Sequence, residues 1–363
     1  MDTGSYKFKT LCQTYEDFRG PAFTIKVDGK TIESFRIPLS VEVEQCADGS
    51  AGGCHFQIEN LYDYEQSKWL NDLAKTLEVG AALEIEGGYV KKKPLFYGYV
   101  DEVAVSYSSS APPSISVTGI DGLGFLMSCR ESEYWENQKP AEMVKKIFQK
   151  AVSVGFAKKM KVGLLPDFAV KDVKEKIDDY KYLRLLSERC GKNLMALNGE
   201  LIFDDLLTNT APILSLTVGS GLLEFQKRTS LRDQVGKVEI IGADAGNQPI
   251  RGEASKVTIK GTGETASQAA PEFQKTVVSE TSYYVRTVEE CQKLAQAKLN
   301  RLALNYVSGS GTCLGIPELI PGRFLTIKGL DGDTVGDYFI TKVRHQFGSG
   351  GYLTQFEVKG AKD

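Results

Sequence analysis

The chain has 363 residues, 42% hydrophobic and 25% charged, with a formal net charge of -3. That composition is ordinary for a globular protein, the length calls for two or three compact units, and the slightly acidic balance argues against a general nucleic-acid binder, so no sequence-specific nucleic acid is expected as a partner. Seven cysteines cannot all pair within the chain. With no apolar targeting segment between Met1 and Thr10, they are expected as free thiols in a reducing cytosol. No run approaches the 18 to 20 apolar residues that span a bilayer, so no direct membrane insertion is expected.

Residues 1–128 read as a first β-barrel. Phe23, Ile25 and Val27 alternate with polar residues before Asp28-Gly29, a two-residue hairpin signal. Leu39, Val41 and Val43 alternate next, followed by a Gly/Ser-rich loop at 48–53. Leu83 with Ile85, Val103 with Val105, and Ile115 with Val117 continue the two-residue period. Many short strands at this spacing predict a closed or nearly closed antiparallel barrel, which removes adhesive edges.

Residues 129–205 change character and read as a small α+β domain. Pro140 opens a helix striped by Met143, Ile147, Phe148 and Ala151. Asp178 or Asp179 caps a second helix, which carries Leu183, Leu186 and Cys190 and stops at Gly191. Leu194–Leu197, Asn198-Gly199 and Leu201–Phe203 make a hairpin.

Residues 206–363 read as a second β-barrel domain with an inserted helix near 287–304. Leu214, Leu216 and Val218 alternate, as do Val238 and Ile240. The stretch 261–271, rich in Gly, Thr, Ser and Ala, reads as a mobile loop or linker. Thr287 and Glu290 form a capping box ahead of Val288, Cys291, Ala295, Leu299 and Leu302 at helical spacing. Strands return at Phe324–Ile327, Tyr338–Val343 and Tyr352–Val358. The fold class is therefore mainly β: two similar barrels plus a small α+β domain.

Catalytic signals fail one by one. Only His55 and His345 exist as histidine bases. Gly309-Ser310-Gly311 is not a nucleophile elbow and reads as loop. Cys46, Cys54 and His55 lack zinc spacing and a fourth ligand. Asp331-Gly332-Asp333 with Gly336 resembles the start of a calcium loop, but Lys342 stands where a bidentate glutamate is required. Glu131, Glu133 and Glu136 read as a solvated acidic loop, and Lys91, Lys92 and Lys93 as a solvated hairpin tip. The clusters Gly261-Thr262-Gly263 and 348–351 lack the lysine and helix of a phosphate loop. No catalytic, cofactor or metal residue is assigned, and the chain is expected not to be an enzyme.

A resemblance enters through the last 75 residues. A helix Leu294-Ala295-Gln296-Ala297-Lys298-Leu299-Asn300-Arg301-Leu302-Ala303 precedes a strand ending Gly309-Ser310-Gly311-Thr312. Gly315, Pro317 and Leu319-Ile320-Pro321-Gly322 then lead into Phe324-Leu325-Thr326-Ile327, and Gly336 to Phe347 precedes Gly350-Gly351-Tyr352. This resembles the phage late control gene D family, which includes contractile-tail baseplate hubs and the N-terminal half of VgrG spikes. Leu95–Val103, Ser114–Gly122, Tyr180–Gly191 and Arg228–Ile241 resemble further family segments in the same order.

The resemblance implies a structural baseplate hub of a phage tail, tailocin or other contractile injection system. It implies a homotrimer whose six barrels form a ring, adapting a sixfold tube to a threefold spike across interfaces of more than roughly 2,000 Å². Its implied partners are a separate central spike protein, tail tube or tube-initiator proteins, and baseplate wedge components. The segments at 48–53 and 261–271 are expected at neighbour contacts. The alternatives are a tail-associated cell-wall hydrolase and a carbohydrate-binding adhesion module using some of the 17 Phe and 16 Tyr residues.

Overall fold

The computed structural model describes residues 3–32, 38–59, 61–70, 73–332 and 334–363. Asp333, one of the calcium-loop residues, lies outside them. Helix α1 (Phe8–Thr14) seats Leu11 in the core, with Tyr15 directly behind it. Strand β1 (Ala22–Val27) turns through Asp28 and Gly29, both at positive φ, into β2 (Lys30–Thr31). Strands β3 (Pro38–Cys46) and β4 (Gly53–Glu59) follow. A small excursion through β5 (Tyr62–Asp63), β6 (Lys68–Trp69) and α2 (Leu73–Thr76) leads to β7 (Ala82–Gly88), β8 (Lys92–Ser106) and β9 (Ser114–Ile120). The strands lie side by side in the order β1-β7-β8-β9-β4-β3. Ile25, Val27, Val43, Phe56, Ile58, Ile85 and Val117 point inward because successive residues on a strand face opposite ways.

Helix α3 (Gly122–Ser128) is capped by Asp121, whose carboxylate accepts from Leu123 N at 2.8 Å and from Gly52 N at 2.6 Å. The α+β layer contains β10 (Glu133–Gln138), α4 (Pro140–Ser153), β11 (Lys159–Val162), β12 (Val170–Lys174), α5 (Asp179–Arg189), β13 (Asn193–Leu197) and β14 (Glu200–Asp204). The α5 cap is Asp178, which accepts from Lys181 N, and Gly191 takes the left-handed conformation that ends the helix. Strands β11, β14 and β13 form one sheet over a core of Met143, Ile147, Phe148, Leu183 and Leu186.

The chain returns to β15 (Pro212–Val218) and β16 (Gly221–Thr229). An insert follows: β17 (Lys237–Ala243), β18 (Pro249–Ala254), α6 (Ala266–Ala269), β19 (Val277–Thr281) and α7 (Val288–Ala303). Its three strands make a sheet of their own, with Val238 and Ile240 packed against Cys291, Leu294 and Leu299 of α7. Gly252 lets that helix approach, since a Cβ there would sit 2.3 Å from Gln292 N. The segment 228–241, resembling one barrel strand, is therefore split: β16 ends at Thr229 and β17 belongs to the insert. Val288 is exposed rather than part of the apolar stripe.

Strands β20 (Val307–Leu314), β21 (Phe324–Lys328), β22 (Gly336–Gly348) and β23 (Gly351–Gly360) complete the chain. With β15 and β16 they close a six-stranded barrel, because β22 pairs with both β21 and β23 and β15 with both β16 and β21. The pairs of β15 are parallel, so this barrel is not wholly antiparallel.

The two units share one plan. Replacing β1, β3, β4, β7, β8 and β9 by β15, β16, β20, β21, β22 and β23 carries the neighbours β1-β7-β8-β9-β4-β3 onto β15-β21-β22-β23-β20-β16. Only the first strand runs in the opposite sense, since β1 is antiparallel to β7 where β15 is parallel to β21. Two irregularities coincide as well, while the shifts in β7·β8 and β15·β21 have no counterpart in the other unit. The β8·β9 ladder shifts between Val100 and Glu102, and β22·β23 between Ile340 and Lys342. The β3·β4 ladder shifts between Pro38 and Ser40, and β16·β20 between Leu222 and Glu224. Bulges are conformational features at defined positions, so their coincidence marks a structural repeat. Among the described residues the first unit has no β1–β3 pairing and stays open where the second is closed.

Candidate assembly site

The two units join through one ladder, β3 against β22, which runs antiparallel from Lys342↔Cys46 to Phe347↔Val41. On the inner face of this seam Val41, Val43, Val343, His345 and Phe347 are buried. Phe347 stacks on Tyr352 at 3.9 Å and meets Phe23 of the first unit edge-on at 5.4 Å. One hydrophobic core thus runs through both units.

The outer face carries complementary charge. Arg344 contacts Glu44 at 2.6 Å and Glu42 at 3.3 Å, Lys342 contacts Glu44 at 3.2 Å, and Gln346 donates to Glu42 at 2.9 Å. Burial works to raise the Glu44 pKa, but the bonds and charges of Arg344 and Lys342 outweigh it and hold the carboxyl below its usual range. No catalytic or ligand-binding motif marks these residues in the sequence. Their signal was alternation of opposite charge, Glu42 and Glu44 on one strand and Lys342 and Arg344 on another.

Polar groups sit directly beneath the seam. His345 is fully buried, its Nδ1 lying 2.8 Å from the Tyr352 hydroxyl and 3.1 Å from Thr354 Oγ1. Burial pushes its pKa down to about 3, so the ring is neutral and cannot serve as an exposed base. Tyr15 donates to Glu318 Oε1 at 2.6 Å, and Lys93 reaches the same oxygen at 3.0 Å. Lys91 and Lys92 are exposed, as expected of a solvated tip, but Lys93 is drawn inward because Glu318 is almost wholly buried. The Arg323 guanidinium, also buried, donates to the carbonyls of Gly4 and Ala211 and ties the N-terminal segment to the start of β15.

The other sequence candidates fall apart geometrically. Cys54 points into the barrel and His55 out of it, as neighbours on a strand must, so they cannot converge on a metal. Among the described residues no group of His, Cys, Asp and Glu is arranged to hold one. Gly309-Ser310-Gly311 lies inside β20 rather than in a loop. The Asp331 carboxylate accepts from Thr334 N at 2.9 Å, closing a turn. Glu131 and Glu133 engage Lys150, and Glu136 lies 4.0 Å from Lys171.

The two loops expected at neighbour contacts are fastened within the chain. Arg184 and Tyr180 of α5 donate to the carbonyls of Asp48 and Gly49. Glu264 and Asp363 exchange backbone hydrogen bonds of 2.8 and 2.9 Å. A groove of about 700 Å³ runs between the α+β layer and α7, lined in part by Leu165, Cys190, Leu294 and Arg301. Burial pushes the pKa of its Cys190 thiol up to about 12, away from the reactive thiolate.

No curated protein matches the chain. Among solved structures, a 43 kDa tail protein of prophage MuSo2 from Shewanella oneidensis superposes with a TM-score of 0.66 at 16% identity, covering 93% of this chain and 98% of that one. A tail protein from Neisseria meningitidis MC58 gives 0.66 at 14% identity, with 94% and 97% covered. The E. coli c3393 protein, described as a component of the type VI secretion system similar to T4 bacteriophage tail proteins gp27 and gp5, gives 0.54 at 13% identity, with 92% and 76% covered. The resemblance drawn from the last 75 residues thus holds at the level of fold. The family model described as the Alg8 N-terminal domain matches residues 20–349. The chain belongs to the Alg8 N-terminal domain family and has the fold of these phage-tail and type VI secretion proteins.

Proposed function

We propose that the protein is a non-enzymatic baseplate hub of a contractile tail or tail-like injection machine, acting as a homotrimeric ring beneath the tube. The observation that carries this reading is the repeat itself. One chain holds two six-stranded units with the same strand order and the same two bulges, fused by the β3·β22 ladder. Three such chains supply six similar units under threefold symmetry, which lets a sixfold tube rest on a threefold spike.

On this reading the polar outer face of the shared sheet, including Glu42, Glu44, Arg344, Gln346, Gln355 and Ser310, lines the channel. The partners are a central spike, tube or tube-initiator proteins and baseplate wedge components, and assembly takes place in the bacterial cytoplasm. The residue spacing 129–205 then forms a domain outside the ring wall. Negative-stain microscopy of the purified protein tests the proposal. Class averages with a central hole and six peripheral lobes are expected; isolated particles without a hole would overturn it.

A further inference from the structure

The in-chain seam has a counterpart that the chain itself leaves unfilled. The ladder shifts after Val100 and after Ile340 set Glu102 equivalent to Lys342, and hence residues 102–107 of β8 and the following turn equivalent to 342–347 of β22. The shifts before Ser40 and before Glu224 set residues 41–46 of β3 equivalent to 225–230, which run from β16 into the turn after it. In the seam these two stretches pair as 342–347 with 41–46. Their equivalents, 102–107 and 225–230, lie on different units of one chain.

Both stretches are open. β8 is paired by β7 only as far as Tyr99, and two last bonds, Val100 N to Ala81 O and Gly80 N to Val100 O, close that side. β15 pairs with β16 only at Gly221 and Leu222. Beyond these points no strand among the described residues pairs with either free edge. Val105 and Tyr107 are exposed there, at 44% and 60%, as is Leu223 just before the β16 stretch, while Val103 and Phe225 are half-buried. An edge of this length without a partner invites another strand.

We propose that the β8 edge of one copy adds antiparallel to the β16 edge of the next, repeating the in-chain seam between chains. The equivalences give the register: Glu102 opposite Ser230, Ala104 opposite Arg228, Ser106 opposite Gln226 and Tyr107 opposite Phe225. Charge supports it. The Lys342–Glu44 contact of the seam maps onto Glu102 and Arg228, the same diagonal pair with its signs exchanged. Because the two edges differ, the contact is head-to-tail and propagates in one direction until it closes. This inference rests on the ring reading for its count of three and names the surfaces that would build the ring.

The test is site-directed cross-linking together with a charge exchange. The variant carrying Ser106→Cys and Gln226→Cys, treated with a short bis-maleimide, should give two-chain and three-chain species on denaturing gels. Each single variant and the parent, with its native thiols, should not. Glu102→Arg and Arg228→Glu should each weaken assembly by about tenfold or more, and the two together should restore it.

If native mass shows three copies while the double-cysteine variant cross-links no better than the singles, the edge pairing is overturned and the ring stands. A cross-linked ladder running past three chains would support the edge pairing and overturn the closed ring. Failure of the exchanged pair to restore assembly, with both singles defective, would count against the Glu102–Arg228 register.

Discussion

Arg344 and Glu44 stand 300 positions apart in the chain, yet the guanidinium donates two hydrogen bonds, of 3.2 and 2.6 Å, to one oxygen of that carboxylate. They lie opposite each other in the ladder that fuses the two units, so the pair reports directly on whether the seam is formed.

Arg344 and Glu44 side chains are 39% and 26% exposed, which limits what the pair contributes. A double-mutant cycle with Arg344→Ala and Glu44→Ala should give a coupling of about 0.5 to 1 kcal/mol in urea unfolding, falling in 1 M salt. Zero coupling at low salt would mean that the pair adds nothing to the stability of the seam.

His345 makes stability depend on pH. Its folded pKa, near 3, lies below the value of about 6.5 expected in the unfolded chain. The unfolded state therefore binds the proton first, and stability falls as pH drops from about 6.5 toward 3, by on the order of 2 kcal/mol at pH 5. His345→Gln removes the titrating group, so its unfolding free energy should change less over that window. An unchanged slope would show that the ring is not buried as described.

Gly98 and Gly350 make a matched comparison. A Cβ on Gly98 would lie 2.1 Å from the Ile120 carbonyl oxygen, whereas Gly350 has open space around it. Gly98→Ala should cost about 1–3 kcal/mol, because the backbone of β8 and β9 must separate, and Gly350→Ala should be near neutral. Thermal unfolding distinguishes the two.

Thr287 and Glu290 cap α7 reciprocally, with Glu290 N to Thr287 Oγ1 at 3.2 Å and Thr287 N to Glu290 Oε2 at 3.1 Å. Thr287→Ala should lose about 1 kcal/mol and speed amide exchange in the first turn of α7, and Thr287→Ser should restore most of both.

Local features were legible in the sequence where a few neighbouring residues decide them. The Asp28-Gly29 and Asn198-Gly199 turns, the Asp178 cap and the Thr287 capping box each need only a short stretch of chain and its φ preferences. The alternation of Val41 and Val43, or of Ile115 and Val117, likewise announced strands with one buried face. What the sequence did not display was pairing between distant strands. The β3·β22 ladder joins residues about 300 apart, and nothing local in Glu44 or Arg344 names its partner.

The same limit explains the split of 228–241. Arg228 and Ile240 both sit on strands, but only the fold decides that one closes a barrel and the other packs on α7. Lys93 misled for a related reason: a lysine run on a hairpin reads as solvated until Glu318, on a remote loop, is placed beneath it.

The central claim is that self-association turns two units per chain into six. Native mass spectrometry of the purified protein tests it most directly. A dominant species of three copies of the 39.9 kDa chain, persisting on dilution into the micromolar range, is the result expected. A stable monomer, dimer or tetramer under the same conditions would contradict it.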